Sequence, residues 1–408
     1  MTLKLLISAI ILCVSANAGA VLEDSIPQAP DPKDNVRRLV ELLRDIERRG
    51  GDPGGIVADL DRNQNLQQVA SSLRSILPDV ARLHALRERV SPLPSSMRHR
   101  SPTESRSEAI QSSFSPVLWL DSQATYQPNT YFWLQAFSDD AEQDDSDGIN
   151  GFKSDSRGFT LGFDRELTER WTAGISMTRA SGTIESDVFG EDDTTTQSFD
   201  LSLSYQRGQH SWNFDVTHSS GDVDRERFMF INTGTEIRRF RLLSDIDTDQ
   251  TGLSLGYSSF FTRDSGFAVS PFASLRYATL KTDDYQERGI NNVSLDVQTD
   301  DEEQLVGTIG LSASWGIFGD QWIWSPYVNA AVDHDFKAEV TVTRSRINQS
   351  DLRFITEGYD IEETRFRFGA GLSAMWGESL SLSLGYEGHR KGDYHYDGVI
   401  LNLQTKLH

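Results

Sequence analysis

Two periodicities divide the chain. Up to about residue 128 apolar residues recur every three or four positions, and beyond it they recur every second position. In DNVRRLVELLRDIERRGG the apolar set is Val36, Leu39, Val40, Leu43 and Ile46, the stripe of an amphipathic helix. Asp34 is placed to cap its start and Gly50-Gly51 to stop it. Leu66, Val69, Ala70, Leu73, Ile76 and Leu77 form a second stripe. Pro78 interrupts it, and Val80, Leu83 and Leu86 continue beyond. From Ser91 the texture turns to Ser, Pro and Arg, a linker composition. Helices this short bury little core alone, since units below about 40 residues are marginal. The stripes therefore predict a small bundle, or helices docked on a partner, rather than a cofactor site.

The second part alternates cleanly. Phe159, Leu161 and Phe163 are separated by Thr160 and Gly162; Phe199, Leu201, Leu203 and Tyr205 by Asp200, Ser202 and Ser204. The same holds for Leu253 to Tyr257, Ile309 to Trp315, Phe366 to Ala374 and Leu380 to Tyr386. This is a strand pattern with one apolar face and one small or polar face. Twelve such strands are predicted, beginning near Thr130, Arg157, Trp171, Thr195, Ser211, Thr251, Phe267, Leu305, Trp322, Arg365, Ser379 and Tyr394. Most run about 10–14 residues, long enough to cross a membrane at a tilt, whereas ordinary strands average about 5–6. Twelve is even, as single-chain bacterial outer-membrane barrels require.

The connections alternate too. After the second, fourth, sixth, eighth and tenth strands they are short: LTER, RGQH, TRDS, FGDQ and GE. After the first, third, fifth, seventh and ninth they read as long acidic loops, including DDAEQDDSDGINGFKSDS, ESDVFGEDDT and the stretches 224–249 and 336–363. Short turns on the periplasmic side and long loops outside are the rule for such barrels. Trp171, Trp212, Trp315, Trp322, Trp324 and Trp376 all fall beside short turns. They are expected to form an aromatic girdle at one membrane interface.

Composition then fits. The 408 residues are 37% hydrophobic, with a formal net charge of -22, and mean hydropathy is -0.45. Repeated apolar helical spans of about 20 residues are excluded, as is nucleic-acid binding, which needs clustered positive charge. A barrel is allowed, because only alternate residues meet lipid. The charge is local: 14 Lys and Arg face 15 Asp and Glu in residues 19–128, and 24 face 46 beyond. Asp164, Asp200, Asp215, Arg276, Arg367 and Glu387 fall on the polar face and are expected to line the lumen. Upstream, Arg82, Arg87, Arg89, Arg98, Arg100 and Arg106 with His84 and His99 form a basic segment, either threaded through an acid-lined pore or solvated as a linker.

Residues 1–18 read as a secretory signal peptide: Lys4, an apolar run from Leu5 to Val14, and Ala16-Asn17-Ala18 for cleavage. Cys13, the lone cysteine, leaves with it, which excludes disulfides and thiol chemistry. No P-loop, HExxH or cysteine metal pattern occurs, and the N-terminal part has no G-x-S-x-G elbow, so no cofactor or metal is expected. The Asp-rich run from Asp139 to Asp147 lacks the spacing of an EF-hand loop. His218-Ser219-Ser220 and Asp333-His334-Asp335 are the two combinations that suggest hydrolysis, and both read better as polar residues of a barrel than as nucleophile and base.

The order of motifs resembles the translocator (β-domain) of type V autotransporters over about residues 128–408. YFWLQAFSDD and an acidic loop precede Gly158-Phe159-Thr160-Leu161-Gly162-Phe163-Asp164; RELTERWTAGISMTRASG, SPFASLRYATL and SPYVNAAVDHDF follow, then FGAGLSAMW. Tyr396, Gly398, Leu401 and Leu403 match the family's terminal insertion signal, read by the barrel-assembly machinery. NQNLQQVASSLRSILPDVA resembles the helical linker before such barrels. The resemblance implies an all-β, 12-stranded antiparallel transmembrane β-barrel over residues 129–408, preceded by a short α-helical passenger or linker over residues 19–128. It implies a Gram-negative outer-membrane protein that translocates or anchors its N-terminal segment at the cell surface and is not an enzyme. Partners implied are outer-membrane lipid, lipopolysaccharide, periplasmic chaperones and the assembly machinery, with no nucleic acid. The alternative is an outer-membrane pore or adhesin-type surface protein with a plugged barrel, and after it a barrel hydrolase.

Overall fold

The computed structural model describes Leu39, Leu43, residues 48–49, 55–62 and 66–90, and then 129–407. Within that last stretch 146–148, 187–189, 264–265, 290–293, 320, 339, 348–352, 359–361 and 378 are left aside. The signal peptide, Cys13, Asp34, Gly50-Gly51 and the basic positions from Arg98 to Arg106 lie outside the described residues.

Twelve strands close a barrel: β1 (Thr130–Gln143), β2 (Phe152–Glu166), β3 (Trp171–Ser186), β4 (Gly190–Arg207), β5 (His210–Asn232), β6 (Ile237–Ser259), β7 (Phe267–Thr282), β8 (Glu302–Trp315), β9 (Trp322–Asp335), β10 (Thr364–Trp376), β11 (Leu380–Lys391) and β12 (Tyr394–Leu407). Each pairs antiparallel with its sequence neighbours, and β1 pairs with β12 from Thr130↔Leu407 to Gln143↔Tyr394. Closure leaves no edge in the membrane layer, where hydrocarbon cannot solvate a free N–H or C=O. The twelve expected strands are these twelve.

Within the wall, outward positions are apolar and exposed (Phe199, Leu201 and Leu203 on β4), while inward positions are Ser, Thr, Gly or charged. Several inward glycines lie directly opposite an aromatic. Gly162 pairs with Trp133, Gly310 with Phe272 and Gly371 with Tyr327. A Cβ on Gly162 would lie 2.1 Å from the Trp133 ring. The ring covers the space a side chain would fill, the cross-strand aromatic cover that supports glycine-rich sheets. Gly162→Val should therefore expel the indole and cost about 1–3 kcal/mol, the range for overpacking. It should lower the temperature at which the folded, fast-migrating gel band is lost.

The stretch 224–249, expected as a loop, is paired strand. β5 and β6 continue without a break to Asn232↔Ile237, where a turn at Gly234 (φ +85°) reverses the chain. β3 and β4 likewise pair out to Ser186↔Gly190. The alternation does not stop there; its phase inverts. In the barrel wall Phe214 faces out and Asp215 in, but farther along Val223, Met229 and Ile231 face in while Asp222 and Asp224 face out. Outside the bilayer the outward face meets water and the inward face lies under other protein, so the preferred chemistry of the two faces is exchanged. The stretch 336–363 also contains strands. Val342–Ile347 and Arg353–Glu357 join Leu295–Thr299 and Tyr285–Gln286 in a separate four-stranded sheet.

Among the described residues, α1 (Ile56–Arg62), α2 (Leu66–Ile76) and α3 (Val80–Val90) precede the barrel, and Leu39, Leu43 and Arg48 are also helical. The second stripe forms α2 and breaks before Pro78, as its spacing predicts, whereas α1 was not foreseen. The buried apolar cluster joins Leu39, Leu43, Ile56, Leu73, Ile76, Leu83 and Leu86 to Ile184, Met229, Ile231, Leu242 and Ile246 of the strand extensions and to Leu295 and Phe354 of the small sheet. The apolar core thus sits at the end of the barrel opposite the short turns and the strand termini Thr130 and Leu407.

Candidate functional site

The barrel encloses a cavity of about 220 Å³, room for on the order of 15–20 waters at about 10–15 Å³ each. Ser and Thr are the commonest residues of its wall, with Asp139, Asp200, Asp215 and Asp333 against Arg276, Arg365 and Arg367. The hydroxyls satisfy the carboxylates. Thr217 Oγ1 donates to Asp200 at 2.5 Å, Ser254 Oγ to Asp215 at 2.8 Å and Thr308 Oγ1 to Asp333 at 2.8 Å. Of the residues proposed to face the lumen, Asp200, Asp215, Arg276 and Arg367 border this cavity. Asp164 and Glu387 are buried on the same inward phase. Asp164 fits because Gly174 beside it has no side chain. Glu387 lies 2.7 Å from His389 Nε2, and His389 stacks on Tyr396 with ring centroids 4.5 Å apart.

The mouth opposite the short turns is closed by α2 and α3. Beyond Arg227 strand β5 has no β4 partner, because that pairing ends at Gly190↔Arg227. Serines of α2 occupy the bare edge. Ser75 Oγ donates to Phe230 O (2.9 Å) and accepts from Phe230 N–H (3.1 Å), and Asn232 N–H donates to Ser72 Oγ (2.9 Å). Open edges otherwise recruit other chains, and here the protein's own helix covers one.

Beneath α3 lies a buried ionic network. Arg82 of α3 bonds Asp79 Oδ2 at 2.8 Å and Asp192 Oδ1 of β4 at 2.6 Å. Arg225 of β5 reaches the same Asp192 through Nε at 3.0 Å and Nη2 at 2.5 Å, and donates to Tyr285 Oη at 3.2 Å. Arg227 forks onto Glu287 at 2.6 and 2.7 Å and donates to Ser75 O at 2.5 Å. Three guanidiniums meet three carboxylates with almost no solvent exposure. Burial works against the charge on Arg225, but Asp192 outweighs it and the guanidinium titrates above its ordinary value. Burial pushes the Tyr285 hydroxyl up as well. Arg238 adds an ion pair with Asp59 of α1. Sequence reading missed this network because Arg225 and Arg227, in a run of charges, look solvated. The available signal was their alternation with Asp224 and Glu226. Of the basic segment, Arg82 and His84 are described, and both are buried at the mouth, with His84 edge-on to Phe152 at 6.4 Å.

The six tryptophans are exposed on the outer surface beside the short turns. Trp171, Tyr205, Trp212 and Tyr257 run side by side across β3 to β6 with centroids 4.7–5.6 Å apart, and Trp322 stacks on Trp324 and Trp376. On β12 Tyr396 points inward, while Leu401 and Leu403 face out on the same phase as Val399. The hydrolytic combinations are taken apart by the alternation: Ser219 is buried and bonds Ser198 Oγ, whereas His218 is exposed near Thr251. Asp333 is buried, whereas His334 faces out toward Glu363. Among the described residues no group of His, Cys, Asp and Glu is arranged to hold a metal ion.

A family model described as Autotransporter beta-domain matches residues 132–387. Outer membrane protein A of Rickettsia conorii is 25% identical over 254 residues, 59% of this chain and 12% of that protein. Esterase EstA of Pseudomonas aeruginosa is 24% identical over 265 residues, 62% of this chain and 38% of that protein. The chain therefore matches well under two thirds of the length of these relatives. The translocator domain of autotransporter NalP from Neisseria meningitidis superposes with a TM-score of 0.54 at 15% identity, covering 68% of this chain and 88% of that one. The beta domain of the Bordetella autotransporter BrkA does so with 0.50 at 15% identity, covering 68% and 100%. With a closed twelve-stranded wall, an apolar outer face and this match over most of the barrel, the chain belongs to the autotransporter β-domain family and is a Gram-negative outer-membrane β-barrel.

Proposed function

We propose that this barrel carries its own N-terminal segment to the cell surface and keeps it there, residues 19–128 being that segment and residues 1–18 the export signal. The observation that carries the reading is the seating of α1 to α3 on the end of the barrel away from the short turns, which is the outer end by the rule of barrel topology. Val90 ends α3 at that end, and Thr130 begins β1 at the other. A segment crossing the wall unfolded exposes its apolar stripes. On arrival Leu73, Ile76, Leu83 and Leu86 are buried, each stabilising by about 1.5–3 kcal/mol. Docking at the far side thus gives the movement a direction without a nucleotide or catalytic residue. We read the tryptophan rows as the girdle of the periplasmic-side interface. We read Tyr396, Gly398, Leu401 and Leu403 as the signal for the barrel-assembly machinery, reached with the help of periplasmic chaperones. Lipopolysaccharide is the partner at the outer rim.

The lone Cys13 makes a test simple. Arg74→Cys, at an exposed position of α2, should react with a membrane-impermeant maleimide on intact cells as fully as on permeabilised ones. Labelling that requires permeabilisation would place the helices in the periplasm and end the proposal. The polar cavity supports a second reading, a diffusion pore with a plug, which predicts steady single-channel conductance in planar bilayers.

A further inference from the structure

We propose that Arg157 and Arg179 form a site on the outer wall of the barrel for the phosphate of an acylated outer-leaflet glycolipid. Arg157 lies on β2 opposite Ser181, and Arg179 lies on β3 opposite Phe159, so the two are diagonal neighbours on one face. Side chains so placed are about 7–8 Å apart at the backbone and within reach of each other's ends. Both face outward and are exposed.

Their position and their lack of partners point to the ligand. Directly toward the short turns on the same face are Phe159 and Leu161 of β2 and Ile175 and Met177 of β3, all exposed large hydrophobics. The arginines therefore stand at the first charged step beyond the lipid-facing band, at headgroup height. Elsewhere in the outer half, Lys153 is neutralised by Glu142, Arg241 by Glu226, Lys281 by Asp283, Arg288 by Asp245 and Arg390 by Asp397, and Arg239 lies over the Phe228 ring at 3.9 Å. Arg157 and Arg179 make no ion pair among the described residues. Asp155, two residues from Arg157 on the same face, accepts the Thr183 hydroxyl instead. Like charges held side by side repel, yet this chain of net charge -22 leaves these two unneutralised.

Each guanidinium presents five N–H donors in a planar fork that matches phosphate oxygens. Two forks facing one phosphate satisfy a dianion, and the acyl chains of the same molecule extend over Phe159, Leu161, Ile175 and Met177. A phosphate on an acylated sugar fits both halves of the surface, and free phosphate fits only one.

The inference rests on lipopolysaccharide being the partner at the rim, and the test separates the two. The full-length barrel, purified in detergent and shown to be folded by its heat-dependent gel mobility, is mixed with diphosphorylated lipid A and the bound fraction read by native mass spectrometry. Arg157→Gln/Arg179→Gln should retain at least fivefold less than the unaltered chain. Lys153→Gln/Lys281→Gln, with the same charge change at neutralised sites, should retain as much. Dephosphorylated lipid A should bind the unaltered chain no better than lipid A binds the double arginine variant, and millimolar inorganic phosphate should not compete. Equal retention by the double arginine variant, or full competition by inorganic phosphate, overturns the glycolipid site and leaves the partner reading intact. No retention by the unaltered chain overturns both.

Discussion

Asp192→Ala should release the helical cap while leaving the barrel standing. The Asp192 carboxylate is shared by Arg82 of α3 and Arg225 of β5, and all three groups are buried. Removing it takes the carboxylate from Arg225 and leaves Arg82 with Asp79 alone, both guanidiniums being buried, and breaking a buried pair on one side costs about 3–5 kcal/mol. That is on the order of a hundredfold or more in the ratio of closed to open cap. Asp192 to Arg225 is one cross-strand pair near the outer end of the β4–β5 ladder, and the rest of the wall does not use this carboxylate, so heat-dependent gel mobility should change little. Amide hydrogen exchange in α2 and α3, and cleavage of residues 56–90 by protease added to cells, should both rise steeply. Arg82→Met is the milder companion: Asp192 keeps its fork from Arg225, and the methionine stem keeps part of the packing. Equal protection of the helices in Asp192→Ala and the unaltered protein would show that the apolar cluster alone holds the cap.

Leu201→Arg and Ser202→Arg, one residue apart on β4, should part completely. Leu201 is 59% exposed on the outer face, near the middle of its apolar run, and Ser202 borders the cavity. Arginine on the lipid face near the midplane costs about 2–4 kcal/mol. In the lumen the same side chain meets water and the carboxylates of Asp200 and Asp215. Leu201→Arg should reduce the folded fraction in outer membranes several-fold, and Ser202→Arg should leave it unchanged. Equal yields of the two variants would mean that the outer face of β4 does not contact lipid.

How much of this was legible in the sequence depended on which solvent each face meets. Phe199 to Tyr205 and Leu253 to Tyr257 alternate because lipid lies on one side and a wet lumen on the other, and this two-sided contrast survives in the residue order. The short turns were legible for a related reason: Gly208 and Gly377, at positive φ, mark reversals that admit little else. The strand extensions were not legible, because past the membrane the contrast reverses phase. Asp224 and Glu226 then read as a loop although each is paired in a ladder. Helix α1 was missed because Ile56 and Leu60 are too few to establish a period.

The residue order by itself determined the closed twelve-stranded wall and the buried face of α2. Those are local properties: period, turn chemistry and the side of each residue follow from neighbours along the chain. Only the tertiary structure decided that the helices cover the mouth, that Arg82, Arg225 and Arg227 are buried rather than solvated, and that Arg157 and Arg179 stand side by side with no ion pair among the described residues. Arg82 and Asp192 are 110 residues apart, and a charge reveals in sequence neither its partner nor its depth. Whether a guanidinium is a surface group, a buried clasp or an open site depends on what the fold brings within about 4 Å of it.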